Sequence, residues 1–330
     1  MKARIESMSG LMVNAMWVGT FHGIAHRLLR AHWQEAGLLK TFQIIDSEDQ
    51  LRLIKRVMKQ LDITDDRYPP KQAPGFINRQ KEKGLRAQNW EAIHHDFERV
   101  MQRVYEAYEK VCVQSGLIDF ADMLLKVYEL FIKHPDVLRH YQQRFRYILV
   151  DEFQDTNDLQ YKWLSLLKSP NNHTMVVGDD DQSIYSWRGA RIENMLRFQR
   201  DFEAVNVVRL EQNYRSTGNI LQAANHLISN NASRMGKDLW TSAASGDLIS
   251  IYAAFNDRDE ANFIIDRIRA WHQKGEQLSH AAILYRSNAQ SRLLEESLIY
   301  AGLPYRIYGG MRFYERMEIK DALGYLHLID

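Results

Sequence analysis

Apolar residues in the first 145 positions recur at helical spacing, and from position 147 onward they gather into short continuous runs. Over 21–36, Ile24, Leu28 and Leu29 fall on one side of an expected helix, with Arg27 and Arg30 nearby. Ser47-Glu48-Asp49-Gln50 has the capping-box pattern and opens a run in which Leu51, Ile54, Val57, Met58 and Leu61 keep helical period. Pro69, Pro70 and Pro74 then break the pattern. Helices over about 90–113 and 119–133, separated by Ser115-Gly116, complete a region expected to be almost entirely helical.

The texture changes at Tyr147. Tyr147-Ile148-Leu149-Val150 is a continuous apolar run ending in acids, the pattern of a buried parallel strand. A helix over 159–167 precedes a second such strand over 175–177, which ends in Gly178-Asp179. A helix over 192–202 leads to a third strand over 205–210. After Asn213 the alternation repeats: helix 217–229, strand 248–253, helix 257–271, strand 281–285, helix 288–301 and strand 305–307. Two α/β blocks preceded by a helical insertion are therefore predicted, with ligands expected outside the carboxyl ends of the strands.

Composition narrows the function classes. The 330 residues carry 43 Lys+Arg against 42 Asp+Glu, a net charge of +1, so any nucleic-acid site must be a local surface. One cysteine, Cys112, excludes an intramolecular disulfide framework and fits a reducing compartment. No run of about 18 apolar residues occurs, and the charged N-terminus does not read as a secretory segment. The expectation is a cytoplasmic protein with no membrane partner. One local imbalance stands out: Lys71, Arg79, Lys81, Lys83 and Arg86 are opposed only by Glu82. Contact with duplex DNA and a solvated face are both compatible with it.

The chemistry concentrates at Val150-Asp151-Glu152-Phe153-Gln154-Asp155. A strand delivering adjacent acids at its tip suits hydrolysis of a magnesium nucleotide. One carboxylate, Asp151, can hold hydrated Mg²⁺, and the other, Glu152, can orient and deprotonate the attacking water. Taken alone, the pair also reads as solvated acids at the start of a helix, where the dipole favours them.

Three strings occur in order: Asp151-Glu152-Phe153-Gln154-Asp155-Thr156-Asn157, then Val177-Gly178-Asp179-Asp180-Asp181-Gln182-Ser183-Ile184-Tyr185-Ser186-Trp187-Arg188-Gly189-Ala190, then Leu210-Glu211-Gln212-Asn213-Tyr214-Arg215-Ser216-Thr217. Together they closely resemble the UvrD/Rep/PcrA family of superfamily-one DNA helicases. Gly19-Thr20-Phe21-His22-Gly23 is similar to an early DNA-contact motif of that family. Tyr285-Arg286-Ser287-Asn288-Ala289-Gln290-Ser291-Arg292 and Tyr308-Gly309-Gly310-Met311-Arg312-Phe313 are similar to later ones.

The resemblance implies RecA-like P-loop NTPase motor lobes, each a parallel sheet flanked by helices, with an all-helical insertion domain. The implied division is a remnant of the first lobe at 1–20, the helical insertion at 21–145 and the remainder of the first lobe at 146–211. Part of the second lobe follows at 212–310, and a second accessory domain begins at 311–330. The implied cofactors are ATP and Mg²⁺. Asp151, through water, takes the metal and Glu152 is the catalytic base. Gln182 senses the γ-phosphate, Tyr214 stacks on adenine, and Arg215 contacts the γ-phosphate with a planar fork that stays charged. Thr20, Phe21, His22, Tyr185, Trp187, Arg188, Arg286, Asn288 and Arg312 are the implied DNA contacts, with aromatic faces stacking on bases in a sequence-tolerant way. His22 reads almost as well as a capping residue at a helix start. The implied partners are single-stranded DNA, single/double-strand junctions and repair proteins, and the implied location is the bacterial cytoplasm at the nucleoid.

A phosphate cradle, G-x-x-x-x-G-K-[ST], belongs before the acidic motif and is absent from these 330 residues. The Gly-Lys pair Gly236-Lys237 has Asn231 five residues before its glycine and Asp238 after its lysine. The sequence is therefore expected to be an interior slice of an ATP-dependent 3′-to-5′ repair helicase, without turnover on its own. A catalytically dead single-strand binder and the motor of a helicase–nuclease subunit are the competing readings.

Overall fold

The computed structural model describes residues 2–10, 12–13, 16–64, 66–89, 96–231, 234–308 and 325–326. The chain divides into two compact units, one comprising 1–214 and 223–241, the other 215–222 and 242–330.

In the first unit the helical region consists of α1 (Lys2–Ser9), α2 (Phe21–Ala31), α3 (Ser47–Gln60), α4 (Gln72–Glu82), α5 (Asp96–Ser115), α6 (Phe120–Lys133) and α7 (Pro135–Arg144). A short parallel pair, β1 (Gln43–Ile44) with β2 (Leu117–Ile118), joins the link between α2 and α3 to that between α5 and α6 and has no counterpart in the sequence pattern. Helix α2 stops at Ala31, five residues before its expected end, because the chain tightens into turns that close at Gly37 with φ 63°. The cap of α3 also differs from the expected box. Asp46, one residue ahead of Ser47, accepts from the amides of Glu48 and Asp49 at 2.9 Å each, and Ser47 is already helical. Pro74 is accommodated within the first turn of α4, where its missing N–H has no intrahelical partner to lose.

Two apolar cores result. Leu28 and Leu29 of α2 meet Leu124, Val127, Leu130 and Phe131 of α6. Separately, Ile54, Val57 and Met58 of α3 meet Ile77 of α4 and Met101, Val104, Tyr105 and Tyr108 of α5.

The basic stretch is resolved against both expectations at two positions. Lys81 is 1% exposed: its ammonium donates to Asp119 at 2.7 Å and lies 3.7 Å from Asp122. Arg86 pairs with Glu109 at 2.8 Å, Asp122 at 2.5 Å and Glu129 at 2.6 and 2.9 Å. Neither is a solvated cation nor available to a duplex. Asp119 also accepts from the Tyr108 hydroxyl at 2.8 Å, Gln50 at 3.1 Å and the Asp122 amide at 2.7 Å, the last as the N-cap of α6. Burial alone would lower the Lys81 pKa, but the charges of Asp122 and Asp119 outweigh it and hold the value above normal. Burial likewise opposes ionisation of Asp122, and Arg86 and Lys81 outweigh it, holding the carboxyl far below the usual range.

The α/β portion of this unit carries β3 (Tyr147–Val150) and β4 (His173–Val176), parallel and in register from Tyr147↔His173 to Val150↔Val176. Helix α8 (Asp158–Leu167) crosses between them, opened by a capping box in which Asn157 and Gln160 satisfy each other's amides. Helix α9 (Glu193–Asp201) follows. Ile148, Val150 and Val176 face a core of Phe153, Tyr161, Leu164, Phe198 and Phe202, while Tyr147, Leu149 and Met175 on the opposite face are exposed.

Helices α10 (Gly218–Ile228), α11 (Asp257–Gln273) and α12 (Asn288–Tyr300) lie where the periodicity put them. The strands expected at 205–210, 248–253, 281–285 and 305–307 do not form: these segments join no ladder among the described residues. An apolar run marks a segment that suits a sheet, but a strand exists only when a neighbour takes its N–H and C=O groups. In the second unit, 281–285 and 303–308 instead line a cleft of about 830 Å³ together with residues of α11 and α12.

Candidate functional site

Strand β3 ends at Val150 and delivers Asp151 and Glu152, both exposed, beyond its carboxyl end. Glu152 has φ 52° and ψ 45°, a left-handed conformation that costs a non-glycine residue about 1 kcal/mol or more. The turn aims the Glu152 carboxylate back at Gln154, whose Nε2 donates to Glu152 Oε2 at 2.7 Å. Gln154 is buried, and its Oε1 accepts from the Asp179 amide at 2.9 Å. One amide side chain thus joins the tips of β3 and β4. The close approach depends on Gly178, where a Cβ would stand 2.9 Å from Gln154 Oε1. Asp151 Oδ1 accepts from the Glu152 amide at 3.0 Å. Asp155 has a buried Oδ1 without a hydrogen-bond partner, and burial followed by the Glu152 charge raises its pKa.

Beyond β4, Asp179, Asp180 and Asp181 bring carboxylate oxygens within 4.8 Å of one another, spacing that could hold a metal ion. Two cations already occupy them. Arg234 grips Asp181 with Nε at 3.1 Å and Nη2 at 2.9 Å, and Lys237 is bonded to Asp179. The Met235 amide donates to Asp180 at 2.6 Å. Among the described residues no cation is paired with the exposed Asp151 carboxylate, which could take a hydrated Mg²⁺. Gln182 donates from Nε2 to Asp179 Oδ2 at 2.7 Å. Burial would raise the Asp179 pKa, but the hydrogen bonds from Lys237 and Gln182, the Lys237 charge and the Asp181 amide hold it below normal.

The next loop carries the aromatic candidates. Tyr185 and Trp187 have ring centroids 6.4 Å apart, and Trp187 is 69% exposed. Arg188 closes the turn Ser186–Arg188, and Gly189 follows at φ 84°, a conformation that needs glycine. The loop is anchored behind by an Asn157↔Ala190 bridge, by the Arg191 amide on the Thr156 carbonyl at 2.9 Å and by fully buried Asn194 on that carbonyl at 3.0 Å. Glu82, at the end of α4, lies against Gly189: a Cβ there would stand 2.7 Å from its Oε2. Burial, opposed by Arg79, pushes the Glu82 carboxyl up to about 7.

Of the early motif, Thr20 caps α2 by accepting from the Gly23 amide at 3.1 Å, so capping falls to the threonine and not to His22. Phe21 packs edge-on against Trp163 at 5.4 Å, which commits its ring to the core. His22 packs against Phe120 at 5.8 Å, and desolvation lowers its pKa. At the end of the first unit Tyr214 is 84% exposed, its hydroxyl donating to Gln212 at 2.7 Å. Arg215 begins the second unit and is exposed. In that unit Arg286 and Asn288 are exposed at the start of α12, and the Arg286 amide donates to Gln290 at 3.0 Å. Arg312 lies outside the described residues.

The structure brings Asp151, Glu152 and Gln182 to adjacent strand tips. It adds Gln154, Arg234 and Lys237, to which sequence reasoning gave no role. Gln154 lies within the acidic motif, and Lys237 belongs to the Gly-Lys pair that does not make a phosphate cradle. Arg234 and Lys237 lie 53 and 58 residues from their acids and Gln154 lies 25 from Asp179, so no local signal joins them.

Residues 1–203 match the sequence model of the UvrD/REP helicase N-terminal domain, and 208–330 that of the UvrD-like helicase C-terminal domain. The chain is 56% identical to DNA helicase II of Escherichia coli over 329 residues, covering 100% of this chain and 46% of that protein. It is 56% identical to DNA helicase II of Haemophilus influenzae over 315 residues, 96% of this chain and 43% of that protein. With the ATP-dependent DNA helicase PcrA of Leuconostoc citreum the identity is 44% over 332 residues, 100% of this chain and 44% of that protein. The chain thus spans somewhat less than half the length of these relatives.

Proposed function

Because the chain belongs to the UvrD-like helicase family, we propose that it forms part of an ATP-hydrolysing motor that moves 3′ to 5′ on single-stranded DNA in bacterial DNA repair. The observation that carries this reading is the continuous chain from Glu152 through Gln154 and Asp179 to Gln182. It links a water-activating carboxylate to a neutral amide one loop away from the exposed Trp187. In this reading 1–20 and 146–211 belong to a first RecA-like lobe and 212–310 to a second. The stretch 21–145 is a helical insertion, and 311–330 opens another.

The chemistry follows from the side chains. Asp151 would hold Mg²⁺ through water, and the ion would neutralise charge on the phosphates. Glu152, fixed by Gln154, orients the attacking water and accepts its proton. Gln182 can exchange its bond to Asp179 for one to a phosphate oxygen without moving charge. Tyr214 offers an exposed ring to adenine, and Arg215 a guanidinium to the γ-phosphate. Trp187 and Tyr185 stack on bases, with Arg188, Thr20, His22, Arg286, Asn288 and Arg312 toward the backbone. Phe21 would act by shaping the site, since its ring is packed.

The test is Trp187→Ala in the protein made from its complete coding sequence. Single-strand affinity and DNA-stimulated hydrolysis should fall together while ATP binding without DNA persists. Unchanged DNA stimulation would count against the coupling. The 330-residue chain by itself should hydrolyse no ATP, because the cradle's contacts, commonly worth about 3 kcal/mol each in transition-state stabilisation, are not in its sequence. A Glu152-dependent signal from the purified chain would overturn that part.

A further inference from the structure

We infer that the segment 234–240 is a strut for the phosphate-sensing loop, with Lys237 and Arg234 as positioning residues that hold Gln182 in place. Lys237 bonds to the same Asp179 carboxylate that accepts from Gln182 at 2.7 Å, and its ammonium lies 3.9 Å from Asp181. Arg234 grips Asp181 with two parallel bonds, and the Met235 amide holds Asp180 at 2.6 Å. Three adjacent carboxylates therefore meet two cations and an amide. Without those partners the acids would repel one another across the short turn Asp180–Gln182, leaving only its own backbone and cap bonds to hold it.

The other end of the segment is tied as firmly. The Trp240 amide donates to the Glu211 carbonyl at 3.1 Å, the Asn213 amide donates to the Trp240 carbonyl at 2.7 Å, and Asn225 Nδ2 holds the Leu239 carbonyl at 2.8 Å. Trp240 is bridged in parallel to Gln212, two residues before Tyr214. The segment so connects two candidate elements of the ATP site, the loop of Gln182 and the turn of Tyr214, by bonds at both ends. Because Gln154 joins Asp179 to Glu152, the same strut reaches the catalytic carboxylate at second hand. A bound nucleotide that repositions either end acts on the other through these bonds. The hold is electrostatic at the acidic end, so arginine can replace Lys237 where alanine cannot.

The catalytic readout rests on the functional reading above; the structural readout does not. Lys237→Ala and Lys237→Arg are compared in the protein made from its complete coding sequence. In Lys237→Ala the kcat for DNA-stimulated hydrolysis should fall about tenfold or more with KM for ATP within about twofold, and Lys237→Arg should recover most of the loss. In the purified 330-residue chain, amide exchange over 179–183 should speed up about tenfold in Lys237→Ala and stay near the parent rate in Lys237→Arg. Exchange unchanged in Lys237→Ala overturns the strut, as does equal loss of kcat in both variants. If the unsubstituted protein shows no DNA-stimulated hydrolysis, the functional reading falls, and the exchange comparison alone decides the strut.

Discussion

Gly178 shows how little room the junction between the two strand tips allows. A methyl group there would stand 2.9 Å from Gln154 Oε1 and 3.3 Å from the backbone nitrogens of Gln154 and Phe153. The amide chain cannot retreat, since the Phe153 amide is bonded to the Val177 carbonyl at 2.9 Å. Gly178→Ala should therefore destabilise the chain by about 1–3 kcal/mol, read as a lower urea midpoint. Glu82 should make the stability depend on pH. Its folded pKa is about 7 against an ordinary 4.5, so over that interval the folded chain retains a proton that the unfolded chain releases. Its contribution is intact below pH 4.5 and is lost as pH rises through 7. Glu82→Gln should be more stable than the parent at pH 8, by about 1 kcal/mol once solvent screening of this half-buried group is allowed for, and melt at a correspondingly higher Tm. The gap should narrow as pH falls toward 4.5; a gap independent of pH would show that Glu82 titrates normally.

At the scale of elements, Asp119 has two duties: it caps α6 and receives the buried Lys81. Asp119→Ala leaves an ammonium without its nearest partner and an α6 amide without its acceptor. The loss should be about 3–5 kcal/mol, measurable by chemical unfolding. A loss under about 1 kcal/mol would mean that Asp122 alone satisfies Lys81. The same elements show what a sequence carries. Helices α3, α5, α6, α8, α11 and α12 were legible because each has its periodicity, and several their caps, within one stretch of chain. The ladder β3–β4 was legible because both strands are apolar runs ending in acids. The segments at 248–253 and 281–285 have the same texture, but pairing is a property of two segments, and a run by itself names no partner. Lys81 and Arg86 were misjudged for a related reason. Their acids lie at 109, 119, 122 and 129, beyond any local window. At the candidate site, Asp151 and Glu152 could be read from their strand, whereas Lys237, 58 residues from Asp179, could not.

For the molecule as a whole, the net charge of +1 hides a partition. Buried cations sit on buried acids in the helical region, and acids at the strand tips are met by cations from a later segment. Little of the charge that sequence counting would offer to a polyanion is free to meet one at Lys81, Arg86, Arg234 or Lys237. Substituting any of these four should change stability or loop order before it changes the salt dependence of DNA binding. Salt titrations of single-strand affinity check this: the slope of log K against log salt should be unaltered in Arg86→Met wherever the variant is folded. A shallower slope would return Arg86 to the DNA surface.

The lone cysteine provides a chemical stopwatch. Cys112 sits in the core of α3, α4 and α5, and burial, partly offset by the Tyr108 hydroxyl and the Lys81 charge, pushes its thiol up to about 12. A thiol reagent can reach it only when that core opens, so the labelling rate under native conditions counts openings of the core shared by α3, α4 and α5. With one sulfhydryl there is a single reaction to follow, and no assignment is needed. Asp119→Ala, by its expected loss, should quicken that reaction about a hundredfold or more.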